Sequence, residues 1–337
     1  MTSTANRTDN RKTIVGVGSA LVDILTHADD AFLSEAGAVK GGMVYVNKEH
    51  IELALSRASG RSAIVPGGSA CNTVVGVSRL GGRARFVGKC GSGKMGDFFE
   101  SFLRSHNVDP RLFRSATSTG RVLSIITPDA QRSMFTFLGA AAETRPEDIR
   151  EELFADAAIV HIEGYILFNP GLMQKALATA KSAGARVSLD LASFNVVQES
   201  RAFLRDIVKE YVDILIANED EARAYSGESD PQQAIRVLSR EVDIAAVKIG
   251  PKGSLVSSGG RVVTVPAQDD GRPVVDTTGA GDLWASGFLF GLVEGYPLEK
   301  CGAVGSACGY EVCQVLGASI PEEGWQRIRK ILATSTT

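Results

Sequence analysis

The amino-acid sequence predicts an α/β fold, in which a mostly parallel central sheet is sandwiched by helices and carries a small projecting β-sheet. Short apolar segments alternate with segments of helical periodicity over most of the 337 residues, and no internal repeat or low-complexity linker interrupts them. The predicted strands are Thr13–Gly18, Arg83–Gly88, Ala158–Ile162, Arg186–Asp190, Asp213–Ile216 and Ile244–Ile249. The predicted helices are Ser69–Leu80, Gly96–Ser105, Gly171–Ala183, Ala202–Tyr211 and Asp230–Ser239. Ligands of such sheets bind at the carboxyl ends of the strands.

Two segments do not follow this alternation. Val39–Asn47 and Arg121–Leu138 have the pattern of antiparallel strands, the second as a hairpin that turns at Pro128–Ala130. Because no helical segment accompanies them, we expect a small β-sheet that projects from the main body as a lid. The sequence thus predicts one domain over residues 13–332, a discontinuous lid from about 39–47 and 117–140, and a disordered tail over residues 1–12.

The composition favours a small-molecule protein of the cytoplasm. With 36 Lys+Arg against 39 Asp+Glu, the chain has no basic excess for nucleic acid. Its five cysteines and four histidines show no metal-ligand spacing, and the scattered, odd cysteine count without a signal peptide predicts a reducing cytoplasm. No apolar run reaches the length of a membrane span. The oligomeric state, monomer or homodimer, stays open.

The run Asp276–Asp282 is the strongest chemical signal in the chain. Gly279, Ala280 and Gly281 leave backbone N–H groups uncovered just before an apolar helical stretch, an arrangement that attracts phosphate. A carboxylate at Asp282 would repel an anion, but a phosphotransferase needs one to accept the proton of an attacking alcohol. The alternative is a glycine-rich turn in which Asp282 only caps the helix.

Two further motifs could hold a substrate. Gly67 and Gly68 allow close backbone approach, and Asn72, one turn into the next helix, can hydrogen-bond a hydroxyl. Asp23 is an isolated carboxylate just past the first predicted strand, and a carboxylate can accept hydrogen bonds from two vicinal hydroxyls. The alternatives are a helix cap at Ser69 and an exposed turn aspartate.

These residues together resemble the ribokinase-like, or PfkB, kinases of sugars and nucleosides. The run Asp276–Asp282, with Ser286–Leu289 behind it, matches the C-terminal signature of that family, and Gly67–Thr73 matches its N-terminal signature. Both occur in the right order, and the resemblance spans roughly Ile14 to Pro321. It implies a ribokinase-like fold and the transfer of a phosphoryl group from ATP to an alcohol.

The resemblance also implies a role for each matching residue. Asp282 would be the general base, and Gly279, Ala280 and Gly281 would form the anion hole around the transferring γ-phosphoryl group. The residues that would bind the substrate are Asp23, Gly67, Gly68 and Asn72.

Three further segments take roles from the resemblance alone. Asn218 and Glu221 resemble the Asn-x-x-Glu motif that organises Mg²⁺, largely through water. A monovalent cation such as K⁺ would lie near Asp276, Thr277 and Ser319. The residues that would contact the ATP nucleotide are Asn218, Lys248, Gly250, Gly253 and Thr278.

The lid sequence is the best indication of the substrate. The segment Gln131–Ala141 resembles the adenosine-kinase branch of the family, in which a matching arginine, here Arg132, would reach the phosphates when the lid closes. A nucleobase needs a flat apolar slot, for which Phe135 and Tyr165 are candidates. The alternative is that these aromatic residues belong to the core of the sheet.

We therefore expect an ATP- and Mg²⁺-dependent kinase that phosphorylates a primary hydroxyl. Among the possible acceptors, the 5′-hydroxyl of adenosine is the one that the sequence favours most. The segment Asp190–Asn195 matches eukaryotic adenosine kinases poorly, so a ribokinase- or fructokinase-type sugar kinase is the alternative. A non-catalytic nucleoside- or sugar-binding regulator is the second alternative, which Asp282 disfavours because a binder needs no general base.

Overall fold

A computed structural model describes residues 11–37, 40, 42–57, 62–127 and 132–333. The strands are β1 (Thr13–Val17), β2 (Leu21–His27), β3 (Met43–Tyr45), β4 (Ala63–Gly67), β5 (Arg83–Gly91), β6 (Val108–Ser115), β7 (Thr119–Ile126), β8 (Arg132–Gly139), β9 (Ala157–Glu163), β10 (Arg186–Asp190), β11 (Ile214–Asn218), β12 (Ile244–Lys248), β13 (Ser254–Ser258) and β14 (Arg261–Val265). The helices are α1 (Asp30–Glu35), α2 (Lys48–Arg57), α3 (Ser69–Arg79), α4 (Lys94–Ser105), α5 (Pro170–Ser182), α6 (Phe194–Glu199), α7 (Arg201–Tyr211), α8 (Glu219–Ser226), α9 (Pro231–Leu238), α10 (Ala280–Val293), α11 (Leu298–Val312) and α12 (Glu322–Ala333).

The main sheet confirms the predicted α/β class. Over the described residues it has nine strands in the order β14-β13-β12-β11-β10-β9-β1-β5-β6. From β12 to β6 every neighbouring pair is parallel, and only β13 and β14 are added as antiparallel strands. The carboxyl ends of the parallel strands therefore meet at one edge, where the loops that follow them can form a binding site.

Helices cover both faces of this sheet, as the sequence predicts. One apolar core contains side chains of α5 to α9, including the buried Leu177 and Tyr225. The other contains side chains of α3, α4, α10 and α11, including the buried Phe99 and Phe288. Burial on both faces explains why the central strands read as continuous apolar runs such as Ile214–Ala217.

The smaller sheet exists, but it is larger than the sequence predicts. Its described strands run in the order β3-β8-β7-β2-β4, and β7 and β8 form the expected antiparallel pair. The strand β3, expected to be antiparallel, pairs with β8 in parallel instead. β2 and β4 were not predicted as strands, and Asp23 lies in the middle of β2 rather than past the end of a strand. Helical side chains, Leu33 of α1 and Ile51 of α2, pack on one face of the sheet, so the expectation that it has no helix partners is wrong.

The last residues of the predicted N-terminal tail differ from expectation where they can be described. Arg11, expected in the disordered tail, donates a hydrogen bond to the backbone oxygen of Ala183 at 2.8 Å. Lys12 forms an ion pair with Glu294 at 2.9 Å. The rest of that tail and the hairpin turn Pro128–Ala130 lie outside the described residues.

In the part of the chain that the structure describes, no helix has both the length and the apolar character needed to cross a membrane.

Candidate active site

A cavity of about 1010 Å³ lies where the carboxyl edge of the main sheet meets one face of the smaller sheet. Its wall includes Asp23 from the smaller sheet, Asn72 from α3, and Gly281 and Asp282 from α10. Motifs that are about 260 residues apart in the sequence therefore face one cavity, because β2 and β4 of the smaller sheet bring Asp23 and the start of α3 to the start of α10.

The carboxylate of Asp282 lies in the first turn of α10 and is held from two sides. Ser69 Oγ donates a hydrogen bond to Oδ1 at 2.7 Å, and Asn72 Nδ2 donates to Oδ2 at 2.9 Å. Burial raises the pKa of Asp282 above its usual range, although these two hydrogen bonds act to lower it. The amide of Asn72, expected to hold a substrate hydroxyl, thus also fixes the orientation of Asp282.

The start of α10 has the backbone geometry that its sequence predicts. Gly279 has φ of 73°, in the left-handed region, and the helix begins at Ala280. A Cβ at Gly279 would also approach Ala318 Cβ to 2.7 Å, so a side chain here would be both strained and crowded. The first turn of α10 lines the cavity, and the N–H of Ala280 donates to the backbone oxygen of Thr277 at 3.2 Å. The N–H groups of a first helical turn have no acceptor within the helix, which is the arrangement that binds anions.

Two consecutive glycines let the backbone approach Asp23 and the β1–β2 turn. A Cβ at Gly67 would lie 2.4 Å from Oδ2 of Asp23, and a Cβ at Gly68 would lie 2.4 Å from the backbone oxygen of Ser19. Gly68 also has φ of 101°, which disfavours any other residue. The glycine pair therefore places the Asp23 carboxylate beside the start of α3.

The sequence analysis missed Glu163, the last residue of β9. It lines the cavity with only 1% of its surface exposed, and its carboxylate accepts the N–H of Ser19 at 2.8 Å and the N–H of Ala70 at 3.2 Å. Burial raises its pKa to about 7, against the hydrogen bonds from Ser19 and Ala70. A charged residue at the carboxyl end of an apolar strand was the available signal.

A second missed residue, Asp190, belongs to a row of polar residues at the ends of three neighbouring strands. Asp190 ends β10, Asn218 ends β11 and Lys248 ends β12. Lys248 Nζ donates to Asp190 Oδ2 at 2.9 Å in a largely buried ion pair. The row thus places one ion pair and the neutral amide of Asn218 at the edge of the sheet that carries the cavity.

Asn218 and Glu221 form a reciprocal cap at the start of α8. Oδ1 of Asn218 accepts the N–H of Glu221 at 2.9 Å, and the Glu221 carboxylate accepts both the backbone N–H and the side-chain amide of Asn218 at 2.7 Å. Burial, followed by the charge of Asp190, raises the pKa of Glu221 to about 7, while Lys248 acts to lower it. Both residues line the cavity.

The residues expected at the nucleotide also line this cavity. Gly250 and Gly253 have φ of 56° and 97°, and a Cβ at Gly253 would lie 2.0 Å from the backbone oxygen of Val265. The turn after β12 therefore has a conformation that depends on these two glycines. Thr278, in the separate segment before α10, is buried and donates through its hydroxyl to Asp276 Oδ1 at 2.7 Å.

The segment expected to bind a monovalent cation is held together by its own hydrogen bonds. Oδ1 of Asp276 accepts from Thr278, and Oδ2 accepts the N–H of Gly317 at 2.9 Å. Thr277 lines the cavity and is exposed, whereas Ser319 is exposed and is not part of the cavity wall. A monovalent cation at this place stays a prediction.

The lid expectation is wrong for Phe135. Its side chain is 1% exposed and packs in the core of the smaller sheet, 4.7 Å between ring centroids from His50. Met134, Thr136 and Leu138 face the cavity instead, and Tyr165 lines it as expected. The side chain of Arg132 lies outside the described part of the chain.

The side chains available as ligands indicate which metal ion this cavity can hold. Among the described residues no group of three or more His, Cys, Asp or Glu side chains could hold an ion. Glu221 is the acidic residue at the expected place, and its oxygens already accept hydrogen bonds from Asn218. Mg²⁺ keeps several of its waters and is bound mainly by substrate phosphates, so these residues fit a water-mediated Mg²⁺.

Comparison with protein families adds independent evidence. Residues 43–324 match the model described as "pfkB family carbohydrate kinase". The chain belongs to this family. It is a PfkB-type sugar or nucleoside kinase with a ribokinase-like fold, and the family's chemistry implies ATP and usually Mg²⁺.

Relatives of this PfkB protein include both nucleoside and sugar kinases. A solved structure of an adenosine kinase from Sinorhizobium meliloti is 34% identical, with a TM-score of 0.87 over 95% of this chain and 99% of the other. A probable sugar kinase from Rhizobium etli is also 34% identical, with a TM-score of 0.88 over 95% and 98% of the two chains. A nucleoside kinase from Methanocaldococcus jannaschii is 29% identical over 272 residues, covering 78% of this chain and 83% of its own.

Proposed function

We propose that this PfkB kinase transfers the γ-phosphoryl group of ATP to the 5′-hydroxyl of adenosine. The observation that supports adenosine most is the cavity face of the smaller sheet, where Met43, Met134 and Leu138 line the same cavity as Tyr165. An apolar slot of this kind suits a flat nucleobase. The S. meliloti relative, described as an adenosine kinase, has the same fold over nearly its whole length.

Two carboxylates would position the acceptor, one at the ribose hydroxyls and one at the 5′-hydroxyl. Asp23 would accept hydrogen bonds from the ribose hydroxyls, because a carboxylate can bind two vicinal hydroxyls at once. Gly67 and Gly68 give the sugar access to the backbone beside it, and Asn72 lies one turn into α3. With the ribose held there, the 5′-hydroxyl would point towards Asp282, which accepts its proton as the phosphoryl group is transferred.

The donor side of the reaction is mainly electrostatic. The backbone N–H groups of Gly279, Ala280 and Gly281 at the start of α10 would bind the oxygens of the transferring group, and the helix dipole adds to their effect. Ser69 and Asn72 hold the Asp282 carboxylate in one orientation, which reduces the reorganisation needed during proton transfer. Arg132, on the lid, would approach the phosphates on closure.

The nucleotide and the metal would be held at the ends of β11 and β12. Lys248, Gly250, Gly253 and Thr278 would contact the nucleotide. Asn218 and Glu221 would orient the water shell of Mg²⁺, which when bound neutralises charge on the phosphates.

A sugar kinase is the second candidate function, and one observation favours it. The cavity wall also contains polar groups on the smaller sheet and the β1–β2 turn, including Ser19, Ser124 and Thr136. A free sugar needs a denser polar lining than a nucleobase does. The R. etli relative, described as a probable sugar kinase, is as similar to this chain as the adenosine kinase is.

A coupled assay for ADP release distinguishes the two. The wild-type protein would be tested against adenosine, other nucleosides, ribose and fructose, with Asp282→Asn as the matched blank. We expect the highest kcat/KM with adenosine. A higher value with ribose or fructose than with adenosine would exclude the adenosine assignment and favour the sugar kinase.

A further inference from the structure

We propose that Asp190 is a positioning residue that holds the ammonium group of Lys248 against the anion-hole loop, where Lys248 stabilises the charge of the transferring phosphoryl group. This inference rests on the proposed phosphoryl transfer, but not on the identity of the acceptor.

The fixed geometry of the Asp190 carboxylate is the first support. Oδ2 accepts from Lys248 Nζ at 2.9 Å, and Oδ1 accepts the N–H of Ala192 at 2.9 Å. Ala192 has φ of 62°, a left-handed conformation that a non-glycine residue seldom adopts. The hydrogen bond to Asp190 stabilises this turn, so the carboxylate has a single orientation in which one oxygen is directed at Lys248.

The position of the ammonium group is the second support. A Cβ built on Gly281 would lie 3.0 Å from Lys248 Nζ. The ammonium group therefore lies close to the second anion-hole glycine, and a side chain at Gly281 would crowd it. Lys248 and Gly281 both line the cavity, so this charge is next to the place where phosphate oxygens would bind.

The energetics of the pair indicate a role other than stability. The side chains of Lys248 and Asp190 are only 14% and 7% exposed, and the removal of both charges from water is costly. Burial acts to lower the pKa of Lys248, but the charges of Asp190 and Glu221 outweigh it and hold that pKa above its usual value. Lys248 is thus cationic at neutral pH. A fixed positive charge in a cavity wall shielded from water interacts with phosphate more strongly than a solvated one.

Two variants separate the role of the charge from support of the fold. Lys248→Met removes the positive charge and leaves the buried Asp190 carboxylate without its ion-pair partner, so we expect a lower Tm. The double variant Asp190→Asn with Lys248→Met removes both charges, and we expect it to regain most of that Tm. We expect kcat of the double variant to stay reduced on the order of 10²-fold, as for the loss of one anion-hole donor, with the acceptor KM little changed. Recovery of kcat together with Tm would show that the pair is only structural and overturn the proposal.

Asp190→Asn alone tests the positioning role. The single amide oxygen of asparagine can accept from Lys248 or from Ala192 but not from both, so the lysine keeps its charge but is held less firmly. We expect a loss of kcat on the order of tenfold. An unchanged kcat in this variant would contradict the role of Asp190.

Gly281→Ala tests the contact between the loop and the ammonium group without altering either charge. The new Cβ would lie 3.0 Å from Nζ, so the ammonium group must shift by a few tenths of an ångström while the backbone N–H of residue 281 is kept. We expect a lower kcat at a near-wild-type Tm. All variants would be assayed with whichever acceptor the wild-type protein phosphorylates fastest. If adenosine is not that acceptor, the adenosine assignment fails while the expected kcat pattern for Lys248 and Asp190 is unchanged.

Discussion

Met134 and Phe135 are consecutive residues of β8, and their side chains lie on opposite faces of the smaller sheet. Met134 lines the cavity, whereas Phe135 is buried with Leu123 and Ile125 in the core beneath α1 and α2. The alternation of side chains along a strand makes these roles mutually exclusive. The substrate contacts of the lid therefore depend on which of these two side chains points towards the ligand.

The first prediction follows from this arrangement. Met134→Ala should raise the KM for the acceptor about tenfold, because it removes an apolar contact worth ~1.4 kcal/mol. Phe135→Ala should lower the free energy of unfolding by about 3–5 kcal/mol, with little effect on KM while the protein stays folded. Steady-state kinetics and urea unfolding of both variants would check this. A raised KM for Phe135→Ala alone would place that ring against the substrate after all.

A second prediction concerns Asp282. Asp282→Asn should reduce kcat on the order of 10²–10⁴-fold, the range for loss of a general base, because an amide cannot accept the proton of the alcohol. Ser69→Ala, which removes one of the two hydrogen bonds to the carboxylate, should reduce kcat much less. Asp243→Asn, an exposed carboxylate in the loop before β12, serves as the matched control and should leave kcat unchanged. Turnover near the wild-type rate in Asp282→Asn would remove this residue from the mechanism.

A third prediction tests the contact between Asp23 and the ribose hydroxyls. Asp23→Ala should weaken acceptor binding by about 1–3 kcal/mol for each hydroxyl left without its partner. The loss should be much smaller for a deoxy acceptor that lacks one of these hydroxyls. Titration calorimetry with both acceptors on the wild-type and variant proteins provides the comparison. Equal losses for the two acceptors would mean that Asp23 supports the fold of β2 rather than the substrate.

A fourth prediction concerns the pH dependence of stability caused by Glu163. Its folded-state pKa of about 7 is above the ordinary value of 4.5, so the folded protein binds the proton more tightly than the unfolded chain. The stability that this proton contributes is full below pH 4.5 and is lost as the pH rises through 7. The loss should be on the order of 3 kcal/mol, since one pKa unit corresponds to about 1.4 kcal/mol.

Glu163→Gln should remove this pH dependence. The glutamine cannot ionise, but it accepts only one of the two N–H groups of Ser19 and Ala70, so the variant should be less stable at pH 4.5. As the pH rises to 8, the difference in unfolding free energy between the variant and the wild-type protein should shift in favour of the variant. Urea denaturation at several pH values would measure it. A difference that stays constant with pH would show that Glu163 does not titrate in this range.

Much of the site could be predicted from the sequence because its parts are local. The glycine pair at 67–68, the turn at Gly279 and the cap formed by Asn218 and Glu221 depend on backbone conformations and hydrogen bonds within a few residues. Such features give a recognisable pattern in a single stretch of chain. The parallel sheet was predictable for a similar reason, because strands buried on both faces are apolar along their whole length.

Other features depended on contacts between segments far apart in the chain, and no local pattern reports these. Asp190 and Lys248 are 58 residues apart, and only the order of β10, β11 and β12 in the sheet brings their side chains together. The role of Glu163 also depends on distant parts of the chain, because its hydrogen-bond partners Ser19 and Ala70 come from two other segments. A strand such as β8 alternates apolar side chains on both faces, so the sequence determined that Met134 and Phe135 face opposite ways. Only the packing of α1 and α2 against the smaller sheet decided that Phe135 enters the core and Met134 faces the cavity.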